Sequence, residues 1–188
     1  MARLRPNRAK VVEAILFLLE EAGVRARALT QYDIVKSIFI ADLWHLQKYG
    51  RPISFDNYVA MKFGPVPSTT YDMLKANYNW GRDEPEGWPL WDRVVQPGTS
   101  AANFENPRRP ANRRKLSESD IGELKEALTF VLAQGFGGVR DWTHSLKAYT
   151  DAWDARGIRR SNDMRYELLL ENPDQDLVED LAHASKHM

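Results

Sequence analysis

Cysteine is absent from this chain of 188 residues. Disulfides, thiolate metal sites and a cysteine nucleophile are therefore excluded, and a reducing cytoplasm is the expected location. Net charge is absent as well. The 26 basic and 26 acidic residues cancel, which removes any global pull toward nucleic acid or an anionic membrane. Also missing is a hydrophobic run of the length a bilayer demands, about 20 residues. The apolar stretch 11–19 is interrupted by Glu13, and no small-residue cleavage site follows before Glu20 and Glu21, so it does not read as a leader. Internal repeats, heptads and low-complexity tracts are absent too. These absences predict a soluble, untargeted chain. Its length suits one domain over residues 1–188, since domains usually run about 50–250 residues.

What is present reads mostly as helices. Asn7 can cap a helix that carries Val11, Ile15, Leu18, Leu19 and Ala22 on one side and stops at Gly23. Thr30, with Asp33 three residues on, opens a second helix that Gly50 ends. Arg51-Pro52 breaks the chain. Tyr58, Ala60 and Lys62 then alternate with Val59, Met61 and Phe63, a pattern compatible with a short strand. Gly64-Pro65-Val66-Pro67 is expected to be a rigid corner outside regular structure, because each proline fixes its own φ and restricts the residue before it. It delivers Ser68 as the cap of a helix bearing Tyr71, Leu74 and Tyr78.

Residues 79–115 form a long loop with Trp80, Trp88 and Trp91, ending in the basic run from Pro107 to Lys115. Within it, residues 90–95 could supply a strand pairing with 58–62. Ser117 with Asp120 opens a helix through about Gln134, ended by Gly135-Phe136-Gly137-Gly138. One or two shorter helices cover residues 139–155. A last one begins near Pro173, with Asp174 and Asp176 at its positive end. The fold class is thus mainly α, with a small central antiparallel β element. Its parts are a core motif region at 30–78, a variable loop at 79–115 and C-terminal helices at 117–187.

The most informative segment lies in the second helix. At about 100° per residue, Asp42, His45 and Tyr49 fall within about 60° of Ile38, on the face that carries Ile34 and Ala41. An ionisable group buried without a partner is costly. Asp42 and His45 are therefore expected to be hydrogen-bonded, and their i, i+3 spacing lets them bond each other.

The order of residues from there on, Ala41-Asp42, His45, Tyr49-Gly50-Arg51-Pro52-Ile53, Tyr58-Val59-Ala60, Gly64-Pro65-Val66-Pro67 and Tyr71, resembles the Panacea domain, also called the SocA-like antitoxin family. Weaker likeness continues in residues 116–120, in His144 with Ala152-Trp153, and in Tyr166-Glu167-Leu168. The resemblance implies a binding protein and not an enzyme: an antitoxin that neutralises a cognate protein toxin. The SocA branch further implies an adaptor that delivers its toxin to the ClpXP protease. Both modes begin with a protein–protein interface, and sequence does not choose between them.

Each candidate feature also has a plainer reading. Asp42, His45 and His144 could form a metal or general-base site, but their spacing matches no ligand motif. The better reading is a structural polar knot of Asp42, His45, Tyr49 and His144, with no catalytic residue, no metal and no cofactor. The Gly64–Pro67 corner, with Lys62 and Phe63 on its rim, is either a recognition platform or a stiff turn. Trp44 and Tyr71 join it as candidate partner-binding residues. Arg108, Arg109, Arg113, Arg114 and Lys115, with Arg3, Arg5, Arg8 and Lys10, could grip phosphates, although such runs are more often solvated. A DNA-binding regulator is thus the alternative function and an Asp/His hydrolase the third. Nucleic acid is not an expected partner.

Overall fold

The computed structural model describes residues 3–75, 78–99 and 101–188. Its centre is two helices that are apolar nearly all round. In α1 (Arg8–Val24) every residue from Val11 to Leu19 is buried, and in α2 (Gln31–Tyr49) every residue from Ile34 to Leu43 is. A helix hydrophobic on all sides must be covered on all sides. Helix α4 (Glu118–His144) lies along α2 and supplies one cover. Shorter helices α3 (Ser68–Met73), α5 (Lys147–Asp154) and α6 (Gln175–Ala184) and two three-stranded antiparallel sheets complete it. One continuous buried cluster runs from Leu4 to Leu181.

The helix starts follow the expected capping chemistry. The Asn7 side chain accepts from the Lys10 N–H, and Thr30–Asp33 and Ser117–Asp120 are both reciprocal capping boxes. Asp174 caps α6. Helix α1 does not stop at Gly23 but continues through Val24. Gly135 interrupts α4 rather than ending it. Its φ of 63° and ψ of −177° turn the chain, and helix resumes from Phe136, which puts that residue on a new heading.

The strands depart further from expectation. Gly64-Pro65-Val66-Pro67 is not an irregular corner: it is β3 (Gly64–Pro67), paired antiparallel with β2 (Tyr58–Met61). A proline φ is compatible with extended backbone, and an edge strand tolerates missing N–H groups. The other neighbour of β2 is β6 (Asn162–Asp163), not residues 90–95. Instead β4 (Asp92–Val95) pairs with β5 (Ala102–Glu105), which in turn pairs with β1 (Leu29–Thr30). The loop 79–115 thus carries its own hairpin, which packs on the start of α2.

Helix α3 is also shorter than expected. It ends at Met73, before Leu74 and Tyr78, and Ala76 and Asn77 lie outside the described residues. Ser68 is not its cap. The Asp56 carboxylate accepts the N–H groups of Thr69 and Thr70, at 2.9 and 2.8 Å, so a distant side chain satisfies donors that a local cap would otherwise take.

Candidate functional site

Asp42 and His45 are both buried, but they do not bond each other. The Asp42 carboxylate accepts the N–H groups of Ile53 and Ser54, each at 2.8 Å, the Ser54 hydroxyl, and the Tyr58 hydroxyl at 2.8 Å. Tyr166 extends the network, donating to the Asp56 carbonyl at 2.9 Å and lying 3.1 Å from the Tyr58 hydroxyl. Burial pushes the Asp42 carboxyl up to about 6, against the opposing pull of Ser54 and Tyr58. The effect is to fold the segment 51–57 back on α2, including a buried Phe55 held at φ 55°.

His45 faces the other way. Its Nδ1 meets the Arg51 carbonyl at 2.7 Å, while Nε2 lies 3.0 Å from the Ser119 hydroxyl and 3.2 Å from Asp120. Burial lowers its pKa, so the neutral ring donates from Nδ1 and accepts at Nε2. This ties α2 to α4. Burial raises the Asp120 carboxyl, but hydrogen bonds from Lys10 and the Ser117 N–H, with the charges of Lys10 and Arg51, bring it below the ordinary carboxylate value.

Two other members of the expected knot lie elsewhere. Tyr49 is 53% exposed and only stacks beside His45, 4.5 Å between ring centres. The helix face that buries Asp42 and His45 has run out into solvent by that last turn. His144 stacks on Tyr149 at 4.4 Å, and its Nε2 has no hydrogen-bond partner among the described residues. No group of three or more His, Cys, Asp or Glu among the described residues could hold a metal ion.

The Gly64–Pro67 strand borders a second arrangement. On α2, Lys36 is buried, and its Nζ donates to the Pro65 carbonyl at 2.6 Å. A side chain thus takes an acceptor on the edge strand. Burial lowers the Lys36 pKa to about 7. Gly64 allows this approach: it sits at φ 99°, and a Cβ there would lie 2.6 Å from Thr143 Oγ1 and 2.9 Å from Lys36 Nζ. Thr143 cannot easily yield, since its hydroxyl donates to the Val139 and Arg140 carbonyls.

Outside this support lies an open, mostly apolar groove of ≈ 360 Å³, whose lining includes Tyr32, Val35, Met61, Phe63, Val66 and Tyr71. Phe63 and Phe136 are about half exposed, at 48% and 47%. Their rings lie 5.4 Å apart, and Phe136 lies 4.7 Å from Tyr32. Three aromatics from three elements therefore meet at one rim, and the Tyr32 hydroxyl donates to the Phe136 carbonyl at 3.2 Å. Lys62 stands over Phe63, 5.3 Å from its ring centre.

Of the expected partner-binding residues, Lys62, Phe63, Gly64, Val66 and Tyr71 line this groove, whereas Pro65 and Pro67 form the buried strand behind it. Trp44 does not reach it. It packs edge-on against Phe130 and Trp142 between α2 and α4. Sequence reasoning missed Tyr32, Lys36, Met61 and Phe136. For Lys36 a signal was available, a lone cation inside the apolar run from Ile34 to Ile40.

The basic loop proves largely paired. Arg109 binds the buried Glu13 through two bonds of 2.8 and 2.9 Å, Arg108 binds Asp92, and Arg113 lies near Glu20 and over the Phe17 ring. The three tryptophans are likewise not free anchors. They stack edge to face in a ladder, Trp80 on Trp88 and Trp88 on Trp91, with Trp80 and Trp91 buried. Among the described residues no helix is long and apolar enough to cross a membrane.

No curated protein and no solved structure matches the chain. A family model described as antitoxin SocA-like, Panacea domain, matches residues 34–150, a span that holds α2 from Ile34, both strands of the Gly64 hairpin, and the whole of α4. With more than half its length so matched, the chain belongs to the SocA-like antitoxin family, as a Panacea domain.

Proposed function

We propose that this antitoxin neutralises a cognate protein toxin by binding it directly, and that the groove rimmed by Tyr32, Phe63 and Phe136 is the docking surface. The observation that carries this reading is the half-exposed pair Phe63 and Phe136, contributed by separate elements and set on a stiff frame. Large exposed aromatics in contact mark interaction sites more often than chance surface, and they make good interface anchors because little entropy is lost on fixing them. The frame is stiff because β3 holds two prolines and Lys36 fastens it to α2. A partner meeting this rim therefore meets a preformed shape.

Co-expression with the adjacent toxin tests the reading. Wild type is expected to rescue growth and to co-purify with the toxin, and Phe63→Glu with Phe136→Glu is expected to abolish both. Rescue and co-purification undiminished in the double variant would remove the groove from the interface. Toxin abundance then separates two modes: a fall that depends on ClpXP marks adaptor delivery, and stable toxin held in a complex marks sequestration.

A further inference from the structure

A cleft of ≈ 350 Å³ opens where the start of α1 meets the chain around Trp80 and the basic run. Arg5, Arg8, Arg109 and Lys115 line it, against the carboxylates of Glu13 and Asp83. Among the lining side chains, four cations and two anions leave an excess of two positive charges, in a chain whose formal side-chain total is zero. The pairing within it is uneven. Arg109 is committed to Glu13, and Arg8 to Asp83 at 2.9 Å. Neither Arg5 nor Lys115 has a carboxylate within ion-pair distance among the described residues. The Arg5 guanidinium reaches only the Lys186 carbonyl, at 3.5 Å. Lys115 adds weakly to the pull that Arg109 exerts on Glu13 against burial.

Two further features mark the same place. Residues Asn7, Arg8 and Ala9 line the cleft, so it lies at the positive end of a helix 17 residues long. Trp80 also lines it, is only 5% exposed, and has an indole N–H with no hydrogen-bond partner among the described residues. A buried donor without an acceptor calls for an explanation.

We infer that this cleft binds a small phosphate-bearing anion, gripped by Arg5 and Lys115. A phosphate monoester carries about 1.5–2 negative charges at neutral pH, which matches the local excess. The volume lies at the small-molecule end of ligand sites, about 300–1,000 Å³. A polymer fits less well. Elsewhere in the basic start and the basic run, Arg3, Lys10, Arg108 and Arg113 are each paired with a carboxylate, which leaves fewer cations to follow successive phosphates. The cleft shares no lining residue with the aromatic groove, so its test is independent of toxin binding.

The probe is inorganic pyrophosphate, titrated calorimetrically into the full chain at physiological salt. Saturable binding at one site is expected, together with a raised melting temperature. Arg5→Gln with Lys115→Gln should weaken binding by about tenfold or more, because each loses a charge-assisted hydrogen bond. The unliganded melt should barely move, since both cations are exposed and neither has a carboxylate within ion-pair distance among the described residues. If the double variant folds poorly, each single variant should still lose severalfold. Absence of saturable binding, or equal binding by the variants, would overturn the inference. So would a short duplex DNA that binds and is not displaced by pyrophosphate, because that result assigns the cations to a nucleic acid.

Discussion

Asp42 and Lys36 lie six residues apart on one helix, both removed from solvent, and the fold treats them oppositely. Around Asp42, four donors from the segment 53–58 converge on one carboxylate. Lys36 has one acceptor, the Pro65 carbonyl. Burial pushes both toward their neutral forms, Asp42 to about 6 against the pull of its hydrogen bonds and Lys36 to about 7 with desolvation unopposed. Asp42 accordingly acts as scaffold, fixing a loop that would have little else to hold it. Lys36 is a compromise under the wall of a groove, where a cation has been desolvated for the sake of one strand contact.

The largest effect should come from removing the better-satisfied charge. Asp42→Ala leaves two buried N–H groups and two hydroxyls without their acceptor, and its cost is expected at about 3–5 kcal/mol, given about 1–3 kcal/mol for each unsatisfied group and imperfect additivity. For a chain of this size that lowers the melting temperature by roughly 6–20 °C. A wild-type melt for this variant would undo the contrast between the two charges.

Next comes the glycine that makes room for Lys36. Gly64→Ala must adopt a left-handed φ and push against Thr143, a loss of about 1–3 kcal/mol. Combining it with Thr143→Ala should recover part of that loss by removing the hydroxyl, but not the backbone strain. If the double variant is no more stable than the single one, the close approach to Thr143 is not what excludes a side chain.

Lys36→Met should change stability little at neutral pH, because the lost bond to Pro65, about 1 kcal/mol, is offset by relief of the buried amine. Its signature is the pH profile. The folded state gives up the Lys36 proton near pH 7, whereas the unfolded chain holds it to about 10.5. Between these values the unfolded state binds more protons, so wild-type stability gains from this group as pH rises. Denaturant melts across that window should show the gain in wild type and not in the variant. Parallel profiles would mean that Lys36 is not desolvated as its burial implies.

The smallest stability effect belongs to the rim. Phe63→Glu with Phe136→Glu alters half-exposed side chains, and the melt should stay within about 0.5 kcal/mol for each substitution, while toxin binding is lost. A large drop in stability would instead make the aromatic rim part of the scaffold, like Asp42.

Residues 42–71 carried the family in their order alone, and the helix starts at Asn7, Thr30 and Ser117 were legible because a cap is a contact between residues three apart. Periodicity likewise placed Asp42 and His45 inside, since the face of a helix is a local property. Their partners were not legible. Each could have bonded the other at i, i+3, but Asp42 instead met the returning segment 53–58 and His45 met Ser119, 74 residues away. The prolines of β3 were misjudged for the same reason. Proline forbids a donor, but whether an edge strand can do without one depends on what lies beside it, here Lys36. The basic run at 108–115 looked free until α1 brought Glu13 and Glu20 beneath it. The sequence alone determined the starts of the long helices, their caps at Asn7, Thr30 and Ser117, and the family, because those rest on contacts between near neighbours in the chain. Strand pairing, the partners of each buried charge and the meeting of Tyr32, Phe63 and Phe136 were decided only by the tertiary structure, since each joins segments whose approach no local preference encodes.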